Sequence, residues 1–292
     1  MVSLTDILPF AVSSSDIFIP ENTFLIVAAV FWMVIASIQD FKKREVENWW
    51  NFGMILFVLA FRAFLSVERW DYMYFVWGLA GLAIGFALAN GFYYARIFAA
   101  GDAKLLVALM GVLPLSLDWR INLSLMAAFF ILFLIVGAIY GAVYSIVLVL
   151  MNCKSFAEEF IRGFAKNMKP TIAIELTCLL ALIGFLLFEL YVGAALVILV
   201  MFVPLLIIYA KSIEDSCMNE SIDVKNLTIG DWIIKPVKIE GGKTIKPNWE
   251  GLNEEELNAI QTICKGQKVL VKQGIPFVPV FLLAFLALLV LI

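Results

Sequence analysis

Apolar residues run along this chain in long blocks, and the charged residues gather between them, a pattern unlike the stripes or alternation of a soluble fold. A helix needs about 20 apolar residues to cross a bilayer core. The blocks at 22–39, 52–68, 72–98, 102–117, 121–151, 171–210 and 275–292 supply candidate spans. The block at 102–117 is short and crosses only if it starts within the interface or the bilayer thins around it. The block at 171–210 is too long for one crossing, and Glu189, Tyr191 and Gly193 near its middle divide it into a tight helical hairpin. The pattern predicts an all-α polytopic membrane protein of about eight transmembrane helices, with six or seven as the alternative counts.

One segment breaks the pattern. Residues 211–274 hold nine lysines and ten acidic residues. The runs DWIIKPVKIE and KTIKPNW flank Gly241-Gly242 in the manner of a β-hairpin. Asn253 ahead of Glu254, Glu255 and Glu256 reads as the N-cap of a short helix ending near Gly266. The chain therefore divides into an N-terminal membrane core (1–151), a loop with the membrane hairpin (152–210), a small soluble α+β domain (211–274) and a last transmembrane helix (275–292).

Lysine and arginine in short loops mark the cytoplasmic side. Lys42, Lys43 and Arg44 follow the first span, and Lys154, Arg162, Lys166 and Lys169 occupy 152–170, so both loops are placed inside. The connections at 68–71 and 117–120 carry one arginine each and suit the outside. Two crossings within 171–210 keep the lysine-rich domain inside, whereas one would put it outside; the charge rule favours two. Residues 1–21 contain no Lys or Arg, so the basic region of a cleavable secretory signal is missing and the first span is expected to stay in the membrane.

Composition narrows the chemistry. Of the 292 residues 63% are hydrophobic and 15% charged, so most of the protein is solvated by lipid. No basic stripe points to a nucleic-acid partner. With no histidine, Ser-His-Asp and Cys-His catalysis and histidine metal ligation are excluded. Cys153, Cys178, Cys217 and Cys264 are widely spaced with no CxxC, and read as ordinary thiols rather than a zinc site. No metal or cofactor is expected. Gly78, Gly81, Gly85 and Gly91 in the third span read as a helix-packing feature. Asn90 reads as an interhelical hydrogen-bond donor and Glu175 as a rim charge. Trp49, Trp50, Trp70, Trp77 and Trp119 fall near span ends, where an aromatic belt would sit.

Two aspartates stand out against this background. Asp40 ends the first span and Asp102 begins the fourth. Each on its own reads as an interfacial charge, Asp40 pairing with Arg44. The topology adds a second reading, since it puts both at one face and one depth although 62 positions separate them. Two carboxylates brought together in a low-dielectric site share one proton. The ionised member can draw a proton from water that attacks a peptide carbonyl, while the protonated member hydrogen-bonds the carbonyl oxygen and later helps the amine leave.

The stretches DFKKREVEN at 40–48 and AAGDAKLL at 99–106 resemble the two signature regions of the type IV prepilin peptidases, membrane aspartyl proteases named for a GxGD motif, and specifically their archaeal preflagellin and prepilin peptidase branch. The ending GIPFVPVFLLAF at 274–285 is similar to that branch as well. The resemblance implies that Asp40 and Asp102 are the catalytic pair, that Gly101 allows close backbone approach, that Lys104 belongs to the GDxK pattern, and that Arg44 and Asn48 complete an Asp-xxx-Arg-xxx-Asn spacing. Position 99 is Ala where the strict motif has its first Gly. The cysteine pairs of many bacterial relatives are absent, which sets aside their N-methyltransferase activity.

The expected activity is cleavage of a short basic leader from pilin-like or archaellin-like precursors by a multi-pass cell-membrane protein, with site and soluble domain on the cytoplasmic side. Glu45 and Glu47 offer opposite charge to a basic leader. Lys104 and Arg44 either favour the charged form of the nearer aspartate or bind phospholipid headgroups. Two other classes stay open: a cation- or proton-coupled transporter using the aspartates as its ion site, and a scaffold whose aspartates are merely interfacial.

Overall fold

A computed structural model describes residues 17–95, 97–238, 244–248, 251–264 and 266–292. The chain forms α1 (Pro20–Lys43), α2 (Asn48–Glu68), α3 (Met73–Tyr94), α4 (Ala100–Val112), α5 (Trp119–Met151), α6 (Cys153–Leu187) and α7 (Tyr191–Ser216). Then come β1 (Asn219–Asp223), β2 (Trp232–Ile233), β3 (Val237–Lys238), β4 (Thr244–Ile245), α8 (Glu254–Ile263), β5 (Lys268–Lys272) and α9 (Val278–Leu291). It is an all-α polytopic membrane protein with a small α+β region. Among the described residues six helices, α1, α2, α3, α5, α6 and α7, are long and apolar enough to cross a membrane.

The remaining two of the eight expected spans are shorter. α4 has 13 residues and α9 has 14, each about 20 Å at 1.5 Å per residue, short of the roughly 30 Å hydrocarbon core. The expected span at 102–117 ends as helix at Val112, and residues 113–118 continue as irregular backbone. Pro114 has no N–H to extend the helix, and buried side chains take over the backbone groups. Asn22 Nδ2 donates to Leu115 O at 2.6 Å, Asn122 Nδ2 donates to Ser116 O at 2.7 Å, and Asn122 Oδ1 accepts from Ser116 N–H at 3.0 Å.

The chain separates into two compact units. The first comprises residues 1–142 and 275–292, and the second residues 143–274, the division falling within α5. In the first, α1 starts with Pro at an N-terminal position, where its missing N–H costs nothing, and ends where Arg44 adopts the left-handed conformation (φ 57°). Its buried stripe runs Asn22, Leu25, Ile26, Ala29, Met33, Ala36, Ser37 and Asp40. Asp40 is thus the last member of an i, i+3, i+4 face turned toward the protein. Reciprocal bonds tie α1 to α2, Trp32 Nε1 donating to Trp50 O at 2.9 Å and Trp50 Nε1 to Trp32 O at 3.1 Å. Trp50 therefore packs into the protein instead of joining an aromatic belt, whereas Trp70 is fully exposed.

α4 lies at the centre of this unit, with Leu105, Leu106 and every residue from Ala108 to Leu115 buried. α3 reaches it through its glycines: a Cβ on Gly81 would lie 2.2 Å from Met110 O, and one on Gly85 would lie 2.7 Å from Met110 Cβ. The expected packing role holds for these positions but not for Gly91, which has nothing within 4 Å. Asn90 is also corrected. Its Nδ2 donates to Phe86 O at 2.7 Å within its own helix, which satisfies the amide without a neighbour.

In the second unit, α6 and α7 pack as the expected hairpin, turning at Phe188, Glu189 (φ 55°) and Leu190. The helix begins earlier than the apolar block does. Residues 153–170, expected as a loop, are the first turns of α6, where a Phe156–Phe160 ring stack and an Arg162–Glu159 ion pair support helix at i, i+4 and i, i+3 spacing. The α+β region has an antiparallel sheet in the order β1-β5-β2 and a separate β3–β4 pair. The run DWIIKPVKIE divides at Pro236 into β2 and β3. β4 pairs with β3, while Gly241-Gly242 lie outside the described residues. Asn253 caps α8 as expected, its side chain accepting from Glu256 N–H at 2.8 Å.

Candidate active site

The C-terminal end of α1 and the N-terminal ends of α2 and α4 converge. Val46, buried in the α1–α2 connection, faces Gly101. Asn51 Nδ2 donates to Gly101 O at 3.3 Å, and Lys104 Nζ donates to Asn48 Oδ1 at 2.5 Å. This places Asp40, at the end of α1, and Asp102, at the start of α4, at one end of the bundle.

Their surroundings differ. Asp40 is 5% exposed, and its Oδ2 accepts a hydrogen bond of 2.9 Å from the N–H of Val278, the first residue of α9. A helix N-terminus presents unfilled N–H donors and the positive end of the helix dipole, so a buried carboxylate there is compensated. Arg44 adds electrostatic attraction from the α1 cap. Asp40 is accordingly a buried, hydrogen-bonded group. Asp102, half-buried, sits in the first turn of α4, where its Oδ2 accepts from Ala99 N–H at 3.3 Å.

The supporting residues from the sequence fall in the same cluster with some changes of role. Lys104 turns to Asn48 and lies over the Phe52 ring at 5.4 Å. Gly101 is less crowded than expected: an added Cβ would meet Val46 N at 3.8 Å, an ordinary contact. Glu47 is already engaged, pairing with Lys43 at 2.6 Å and accepting from Trp49 Nε1. The Lys43 hydrogen bond, then that of Trp49, holds the Glu47 carboxyl below the usual carboxylate range.

Two participants escaped the sequence reading. Val278 contributes a backbone N–H, which no side-chain motif signals. Asn51, fully buried and one turn beyond Asn48, could have been suspected as an amide within an apolar helix.

Residues 27–146, which contain both aspartates, match the model of the type IV leader peptidase family. The chain is also similar to preflagellin peptidases. That of Methanococcus maripaludis is 28% identical over 156 residues, covering 49% of this chain and 67% of the relative. That of Methanocaldococcus jannaschii is 29% identical over 153 residues, covering 50% and 61%. That of Methanococcus voltae is 32% identical over 82 residues, covering 28% and 35%. The chain thus spans between about a third and two thirds of the length of these relatives. No solved structure matches it. The peptidase match disfavours the transporter reading.

Proposed function

We propose that this protein is a membrane-embedded aspartic endopeptidase that removes the short basic leader from preflagellin or type IV pilin-like precursors at the cytoplasmic face of the membrane. The observation that carries the reading is the convergence of the helix ends bearing Asp40 and Asp102 at one end of the bundle, within the region that matches leader peptidases. Lys42, Lys43 and Arg44 beside Asp40 support the cytoplasmic assignment.

The different settings of the two acids suggest a division of labour. Asp40 faces the positive end of α9 and is the natural carrier of the negative charge. It takes a proton from water as the water oxygen bonds to the scissile carbonyl carbon. Asp102, holding the shared proton, hydrogen-bonds the carbonyl oxygen as it gains negative charge. When the tetrahedral intermediate collapses, the C–N bond breaks and the departing nitrogen receives the proton that came from water. The precursor's apolar helix lies in the lipid with its leader in the cytoplasm, so the depth of the pair selects the bond.

Purified full-length protein in lipid nanodiscs, incubated with a preflagellin precursor, should release a leader of defined mass. Cleavage should be abolished by Asp40→Asn and by Asp102→Asn, and the wild-type rate should follow a bell-shaped pH profile. Undiminished cleavage in either variant would overturn the assignment.

A further inference from the structure

Two buried side chains of α2 grip α4 at its two ends. Asn51 donates to the carbonyl of Gly101, the residue before Asp102, and Arg62, 2% exposed, donates from Nη2 to the carbonyl of Val112 at 2.9 Å. Each donor is 50 positions from its acceptor. The helices therefore run parallel in register, and each pair of contacts is about three helical turns apart. Asn51, Met54, Val58, Arg62 and Leu65 form the buried face of α2.

A guanidinium among apolar helices is costly unless something there needs it. Here the need is the end of α4, whose last carbonyls have no partner in their own helix and carry the negative end of its dipole. Gly78 on α3 makes room for the side chain, since a Cβ there would come within 3.0 Å of Arg62 Cγ. The buried Nε of Arg62 has no hydrogen-bond partner. The Val112 carbonyl is thus the contact that accounts for an arginine at this position.

We propose that Asn51 and Arg62 are positioning residues that together fix the depth and rotation of α4, and through it the place of Asp102 relative to Asp40. α4 is too short to anchor itself by spanning the bilayer, and a slip of one residue would move Asp102 by about 1.5 Å and turn it by about 100°. Displacements near 1 Å at reacting groups lower rates about a hundredfold. Two fixed points three turns apart prevent both the slide and the turn, which one alone does not. The catalytic consequence rests on the peptidase reading; the placement does not.

The test has two arms. In the full chain with Cys153, Cys178, Cys217 and Cys264 changed to Ser, Asp40→Cys plus Asp102→Cys is treated in membranes with thiol crosslinkers of graded length. Adding Arg62→Met or Asn51→Leu should lower the yield with the shortest effective reagent at least threefold and shift reaction to longer ones. Arg62→Lys, which keeps a donor, should stay within twofold of the parent. In the second arm, with both aspartates present, Arg62→Met should lower kcat at least tenfold with KM within twofold, and Arg62→Lys should restore most of it. Unchanged crosslinking in both Arg62→Met and Asn51→Leu overturns the placement, and unchanged kcat despite altered crosslinking overturns its catalytic role. If Arg62→Met does not accumulate, Arg62→Gln replaces it, with the same outcomes expected. A wild-type protein that cleaves nothing defeats the peptidase reading and leaves the crosslinking result standing.

Discussion

The N–H of Val278 donates to Asp40 Oδ2 at 2.9 Å, joining α9 to the end of α1 across 238 positions of sequence. The carboxylate fills a helix N-terminus that would otherwise be buried without an acceptor, so Asp40 has a structural task as well as the proposed chemical one.

The two tasks separate by substitution. Asp40→Asn keeps a side-chain oxygen for Val278, whereas Asp40→Ala leaves a buried N–H unpaired at a cost of about 1–3 kcal/mol. Both variants should lose cleavage. Thermal unfolding in detergent should show Asp40→Asn close to the wild type and Asp40→Ala lower by several degrees; equal melting of the two would contradict the link.

The glycines of α3 and α4 should respond in graded fashion. A methyl at Gly81 would meet the Met110 carbonyl at 2.2 Å, and backbone cannot yield as a side chain does, so Gly81→Ala should destabilise by about 1–3 kcal/mol. Gly91 has open space around it, and Gly91→Ala should be neutral or stabilising by up to about 1 kcal/mol. Gly101→Ala should fold normally because its Cβ meets only ordinary contacts. Activity loss in Gly101→Ala with an unchanged melt would place the need for glycine in the substrate's approach. Chemical denaturation beside cleavage assays checks all three.

Leader recognition by acidic residues is expected to be uneven. Glu47 is occupied by Lys43 and Trp49, while Glu45 is exposed on the same connection. On the proposed function, Glu45→Gln should raise KM about two- to fivefold at low ionic strength, more than Glu47→Gln does, as suits exposed ion pairs. The effect should vanish near 0.5 M salt, where screening is strong. A salt-independent change would point away from charge attraction.

The readability of the chain follows from its solvent. Charged residues are rare enough in the apolar blocks that Asp40, Asp102 and the hairpin turn at Glu189 stood out at once. The orientation of each helix did not. Lipid and protein interior are both apolar, so the stripe that turns Asp40 inward has no polar opposite face to reveal it. The same masking hid the end of α4, where only Pro114 hinted that helix would stop short of the expected span. Residues 153–170 misled in the reverse direction, since their charges suggested a loop although i, i+3 and i, i+4 contacts make helix. Asn253 was legible because its cap depends on neighbours three residues away. Val278 was not, because its partner is fixed by the assembly of the bundle.

That distant partnership orders events during synthesis. Asp40 is made with α1, yet its backbone donor follows 238 positions later. A nascent chain carrying both acids but lacking α9 still leaves Asp40 without that seat, so on the proposed function a precursor inserting beside it meets a site that is not yet assembled.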